Sequence, residues 1–152
     1  MKLSEHFDLA EFCTSQEAAR RGRAILPTDT DTQNLARLCA TVLEPLRMEL
    51  GRAIVISSGL RPPWLNAVIG GSPTSAHLDG RAADILVPGL TPFEVCERVA
   101  ALRLPVDQCI HEFPPQGWTH VAIPAAGEVP RIQYLTARVV SGRTIYESGV
   151  HA

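Results

Sequence analysis

The sequence predicts a single small α+β domain, an antiparallel sheet flanked by helices. Its 152 residues are the length of one ordinary domain with one hydrophobic core. Twelve prolines and 11 glycines, with only 45% apolar residues, imply many turns and short elements where a helix bundle would need long unbroken ones. Short β-branched runs, such as "AIVISS" and "AADILVP", stand between amphipathic stretches. No repeat, low-complexity tract or linker interrupts the chain, so residues 1–152 read as one unit. Its core lies at roughly 30–124, with N-terminal helices and C-terminal strands packed on it.

The elements follow in order. Phe7, Leu9 and Phe12, with "SQEAARRG" after them, predict one or two short helices ending at Gly22. The main helix is "TDTQNLARLCATVLEPLRMELG", with Leu35, Leu38, Cys39, Val42, Leu43, Leu46 and Leu50 at helical spacing and Gly51 at its stop. Pro45 lies inside it and should kink or divide it near Leu43, because proline removes a backbone donor and clashes with the preceding turn. The continuous β-branched run "AIVISS" predicts a buried strand opening into the loop "GLRPP". "PWLNAVIGG" has proline in its first turn and glycine at its stop, as a short helix does. "AADILVP" is a second strand, and "TPFEVCERVAALRLP" a helix that Thr91 caps and Pro92 begins. "DQCIHEF" and "WTHVAI" are two strands joined by "PPQG". In the tail, "IQYL", "ARVV" and "TIYE" are weaker strand candidates with "SGR" as a turn.

Composition excludes several classes of function. A net charge of −2 gives no footprint for nucleic acid or for an anionic membrane, whose binders carry clustered basic residues. The apolar runs fall far short of the roughly 20 residues that span a bilayer, and acids interrupt the opening "MKLSEHFDLAEF". No signal peptide is visible, which predicts a cytoplasmic protein as synthesised. Cys13, Cys39, Cys96 and Cys109 form no CxxC pair and read as reduced core residues.

Five polar side chains on loops and strand ends invite chemistry: Arg61, Ser75, His77, Asp84 and His120. Singly, each has an ordinary reading. Arg61 is a surface arginine in a rigid turn, His77 a loop residue, His120 a core imidazole, and Asp84 the cap of a neighbouring loop. Trp118 reads as core or as a pocket wall. Yet Asp84 stands between Ala83 and Ile85 in an apolar strand, where a carboxylate must be paired or metal-bound to offset its desolvation. Two histidines and an aspartate are also the donor set of a catalytic zinc, three N or O ligands with a fourth position left for water.

A hydrolytic zinc also needs a base, and the carboxylates nearest His120 in sequence are Glu112 and Asp107. In "DQCIHEF" Gln108, Ile110 and Glu112 share one face while Cys109, His111 and Phe113 share the other; in "WTHVAI" Trp118 and His120 share a face. One hairpin register puts Glu112 beside His120. A shift by one residue puts His111 there instead, and periodicity does not choose.

With these residues assembled, the chain resembles the zinc D-Ala-D-Ala carboxypeptidase family, the M15-type peptidases, and within it the short bacterial and phage members. "ISSGLRPPWLNAVIGGSPTSAHLDGRAADI" is similar to the family's SGxR loop followed by SxHxxGxAxD, and "DQCIHEF" with "GWTHVAI" to its terminal acid and WxH. "LSEHFDLAEF" is similar to the start of many short members, so the likeness runs over roughly residues 3–124. It implies the hedgehog/D-Ala-D-Ala peptidase fold and one Zn²⁺ per chain on His77, Asp84 and His120. It further implies Glu112 as general base, since relatives commonly have tyrosine where His111 stands. Arg61 would meet a substrate carboxylate or the developing oxyanion, and Ser75 would hold the substrate or support the ligands. Gln108 and Trp118 would line the substrate site. Many relatives carry the acid three residues before the last histidine, where this chain has Gly117.

The implied function is hydrolysis of peptidoglycan stem peptides by a monomer, either trimming a terminal D-Ala or cutting an internal bond such as L-Ala to D-Glu. Release to the wall would then accompany phage lysis, or the substrates would be cytoplasmic muropeptides. A non-catalytic zinc-binding structural domain of the same fold, for example in a phage particle, is the competing reading. Loss of a ligand or of the acid would favour it, and all are present.

Overall fold

The computed structural model describes all 152 residues. Two short helices open the chain, α1 (Leu9–Phe12) and α2 (Gln16–Arg20), each with a side-chain cap from Asp8 or Ser15. The long amphipathic segment follows as α3 (Asp29–Leu38), a π turn (Cys39–Leu43) and α4 (Glu44–Leu50), which ends at Gly51 in the left-handed region. The division falls where Pro45 requires it. The Glu44 N–H reaches back to Cys39, one residue further than in an α-helix, so the ladder widens at the turn just before proline withdraws a donor.

Strand β1 (Val55–Ser58) leads through a loop to α5 (Pro63–Val68), a 3₁₀ turn (Ala76–Asp79) and β2 (Ala82–Leu86). After α6 (Pro92–Ala101), with its Thr91 and Glu94 capping box, come β3 (Gln108–Glu112), β4 (Trp118–Ala122), β5 (Gln133–Val140) and β6 (Arg143–Ser148). The six strands form one sheet in the order β1-β2-β4-β3-β5-β6, antiparallel throughout except for the β3–β5 pair. This is the expected α+β architecture.

One sheet face carries the core. Ala83, Ile85, Cys109 and Val121 point into a cluster of 20 buried residues with Phe7 and Phe12, the stripe from Leu35 to Leu46, and Val95, Cys96 and Val99 of α6. Each large apolar side chain buried there contributes about 1.5–3 kcal/mol. A smaller cluster of Ala18, Ile25, Leu60 and Leu65 packs α2 and α5 beside β1.

Three expectations need correction. "AIVISS" forms an edge strand, not a buried one: β1 pairs only with β2, and Val55 is 46% exposed. Its β-branched run covers one core face, through Ile54 and Ile56, and not two. "IQYL" and "ARVV" belong to one strand, β5, which runs beside β3 over Gln133–Ala137 and beside β6 as far as Val140. Ser141 and Gly142, both at positive φ, then make the tight turn to β6. All four cysteines are free, but Cys13 is only half-buried and belongs to the margin of the smaller cluster.

Candidate metal centre

The second sheet face carries the polar residues. Ser58 pairs with Asp84, Asp84 with His120 and His120 with Ile110, so the aspartate and a histidine stand side by side on adjacent strands. His77 joins them from the 3₁₀ turn, which is fastened on every side. Ser75 caps it by accepting from the His77 N–H, Asn34 of α3 donates to the Asp79 carbonyl, and Gly80 ends it in the left-handed region. A side chain at 80 would press on the Asp31 carbonyl, at 2.6 Å from its Cβ, so the turn approaches α3 as closely as it does only because residue 80 is glycine.

The three donors converge. His77 Nε2 lies 3.2 Å from Asp84 Oδ1 and 3.2 Å from His120 Nδ1, and His120 Nδ1 lies 3.0 Å from Asp84 Oδ1. Ligand atoms at the corners of a tetrahedron about a metal with bonds near 2.0–2.1 Å are about 3.3 Å apart, so the triangle fits one face of a zinc site. All three residues are buried, and together they can hold a metal ion.

The tautomer of His77 is set by its backbone partner. Its Nδ1 donates to the Gly59 carbonyl at 2.7 Å. The proton of the neutral ring is thereby fixed on Nδ1, and Nε2 turns a lone pair toward a carboxylate oxygen and a second imidazole nitrogen. Acceptors packed this closely out of water are stabilised by a shared positive charge, whether a proton on His120 or a metal ion. The same frustration moves their acidities. Burial pushes His77 below the usual imidazole range, against the pull of Asp84. Burial alone would raise Asp84, but the two histidines hold it far below the ordinary carboxylate value. Burial also works to lower His120, and the hydrogen bond and charge of Asp84 outweigh it and lift the ring above its usual value.

The hairpin register decides what faces this cluster. Ile110 pairs with His120 and Glu112 with Trp118, so Glu112 shares the face of His120, with Oε1 3.8 Å from Nδ1. Burial, then the charge of Asp84, raises its carboxyl to about 6. His111 points into the opposite face, fully buried, with Nδ1 2.7 Å from the His151 carbonyl and Nε2 3.0 Å from the Gln116 carbonyl. A ring buried behind the sheet, with a backbone carbonyl against each nitrogen, has nothing to offer a substrate. Asp107 is likewise engaged elsewhere, gripping the Arg131 guanidinium at 2.8–3.1 Å.

The remaining candidates divide. The Arg61 backbone N–H donates to the His77 carbonyl at 2.9 Å, and the guanidinium lies within electrostatic reach of Asp84 and Glu112. Its Nε is buried without a partner. Beyond it opens a cavity of about 270 Å³ lined by Ser15, Gln16, Ser57, Ser58 and Leu60 among others. Trp118 stacks edge-on against Phe113 at 5.3 Å, and its buried indole N–H, without a partner at full hydrogen-bond distance, lies near enough to Glu112 to favour the ionised carboxylate. Gln108 shares the sheet face but stands two positions beyond Ile110, on the side away from Glu112, where its amide donates to Gln133. Strand periodicity assigns a face, not a distance along it.

Gly59 has no place in the sequence reading beyond its loop. Its carbonyl orients His77, and a Cβ there would come within 2.6 Å of the Phe12 backbone, so the loop lies flat on the end of α1. Gly117, at φ 61°, turns so tightly that a side chain would meet the Glu112 carbonyl. An acid cannot be supplied from that position without rebuilding the hairpin, whereas Glu112 faces the cluster from across it.

No curated protein matches the chain in sequence. The family model described as Peptidase M15 matches residues 5–122, a span that opens before α1, closes with β4 and contains His77, Asp84, Glu112 and His120. A buried His-Asp-His group able to hold a metal is what a zinc-dependent family needs at its centre. The chain belongs to the M15 peptidase family.

Proposed function

We propose that this protein is a monomeric zinc peptidase that hydrolyses peptidoglycan stem peptides, with His77, Asp84 and His120 as the metal ligands. The observation that carries the reading is the His77 lone pair, fixed by Gly59 and aimed at two further donors 3.2 Å away, with a carboxyl raised to about 6 beside them. A zinc ion held there supplies Lewis acidity, polarising the scissile carbonyl and acidifying the attacking water.

The chain's own residues do the rest. Glu112, ionised near neutral pH, takes the proton from the water and returns it to the leaving amine nitrogen. Its raised pKa suits both halves of that exchange. Arg61 offsets the negative charge that develops on the carbonyl oxygen or meets a substrate carboxylate; its unpaired buried Nε is a donor without a partner in the protein alone. Ser75 acts through His77, by holding the turn that carries it. Trp118 forms a wall beside Glu112, where its indole N–H favours the ionised carboxylate. Either a terminal D-Ala or an internal bond such as L-Ala to D-Glu fits this chemistry. No helix is long and apolar enough to cross a membrane. A peptidase made in the cytoplasm would meet the wall on release at lysis, or act on muropeptides within.

The test is digestion of isolated peptidoglycan by zinc-loaded protein, with the new chain ends identified by mass spectrometry. New amino and carboxyl ends at one stem-peptide bond, abolished by chelation and restored by zinc, are the expected result. Unchanged peptidoglycan with about one zinc bound per chain would overturn the proposal in favour of a structural metal domain.

A further inference from the structure

The family match ends at residue 122, yet the sheet continues with β5 and β6. Their register builds a row of side chains across four strands on the metal-bearing face. Trp118 pairs with Glu112, Glu112 with Ala137, and Ala137 with Tyr146. Strands are spaced about 4.8 Å apart, so the Tyr146 backbone lies about 10 Å from that of Glu112, within the combined reach of the two side chains. Ala137 between them has no exposed surface, so larger neighbours cover its methyl, while Tyr146 itself is 58% exposed. A second observation agrees: part burial, then the charge of Glu112, raises the Tyr146 phenol above its usual value. No fold requirement explains a tyrosine here, because the core lies on the other face of the sheet.

We infer that Tyr146, carried by a hairpin outside the family match, contacts the leaving-group residue of the peptide substrate and sets specificity on the amine side of the scissile bond. The inference rests on the peptidase reading, and the direction follows from proton bookkeeping. The base that takes the water's proton delivers it to the leaving nitrogen, so that nitrogen lies against Glu112. The next large exposed side chain along the row is Tyr146, a half-exposed ring that can pack on the substrate's next residue.

The test is equilibrium binding of a stem peptide spanning the cleaved bond to zinc-loaded Glu112→Gln protein, alone and with Tyr146→Ala or Tyr146→Phe, alongside kcat and KM for the single Tyr146 variants. Tyr146→Ala should weaken binding about tenfold and raise KM similarly with kcat within about twofold. Tyr146→Phe should recover most of the loss, and both variants should keep their zinc content and melting temperature. Binding and KM of Tyr146→Ala within twofold of the parent, with wild-type hydrolysis intact, would overturn the inference alone. Absence of both binding and hydrolysis in the parents would overturn the peptidase reading and this inference with it.

Discussion

Glu112 carries the sharpest consequences at the scale of single residues. Replacing it with glutamine keeps the shape of the side chain and removes the base, so kcat should fall by about 10²–10⁴-fold while zinc content is retained. Because the carboxyl acts only when ionised and is raised to about 6, kcat/KM should fall tenfold per pH unit on an acid limb at or below pH 6. A bound cation draws that limb downward, and Glu112→Gln should abolish it in pH-rate measurements. Asp84→Asn retains the shape but removes the ligand charge, and zinc titrations should show markedly weaker affinity. Much of this set was legible in the sequence, since an aspartate in an apolar strand and two histidines are a donor set that few other purposes demand. The choice between Glu112 and His111 was not, because it depends on which backbone hydrogen bonds join β3 to β4. Gly59 was invisible for a different reason: it acts through a carbonyl, which every residue has.

At the scale of elements, the hairpin between β3 and β4 works only with glycine at 117. Gly117→Ala adds a side chain at positive φ against the Glu112 carbonyl, and should cost more than about 1–3 kcal/mol in denaturant titrations, with loss of activity exceeding loss of fold. Asp107 fixes the other end of β3, where its carboxylate grips Arg131 and its backbone carbonyl accepts from the Gln133 N–H as β5 begins. The hydrogen bonds from Arg131 hold Asp107 below its usual value, against partial burial. A depressed carboxylate stabilises the fold above its unfolded pKa and loses that contribution as pH falls through its folded one. Asp107→Asn should therefore lower the melting temperature at pH 7 and converge with wild type toward pH 2, as thermal melts would show. Helix ends, Pro45 and the turn at 141–142 were readable because capping and turn residues act locally. The edge position of β1 and the fusion of two tail segments into β5 were not, because both depend on which strands lie alongside.

For the whole molecule, the layering of one packed face and one polar face follows from alternation along each strand, and the sequence foretold the sheet and its helices. The strand order and the parallel β3–β5 pair are long-range outcomes with no local signature. Since His77, Asp84 and His120 tie the 76–79 turn to β2 and β4, a metal ion held by them would link binding to stability. Zinc at about 100 times its dissociation constant should add about 2.7 kcal/mol, or about 5–10 °C in melting temperature for a domain of this size, reversed by chelator. Whether the molecule is a zinc peptidase with Glu112 as its base is decided by digesting peptidoglycan with zinc-loaded wild-type and Glu112→Gln proteins side by side. Both proteins should hold equal zinc, with fragments released by the wild type and none by the variant. Equal cleavage by the two, or none by either with zinc bound, would contradict that reading.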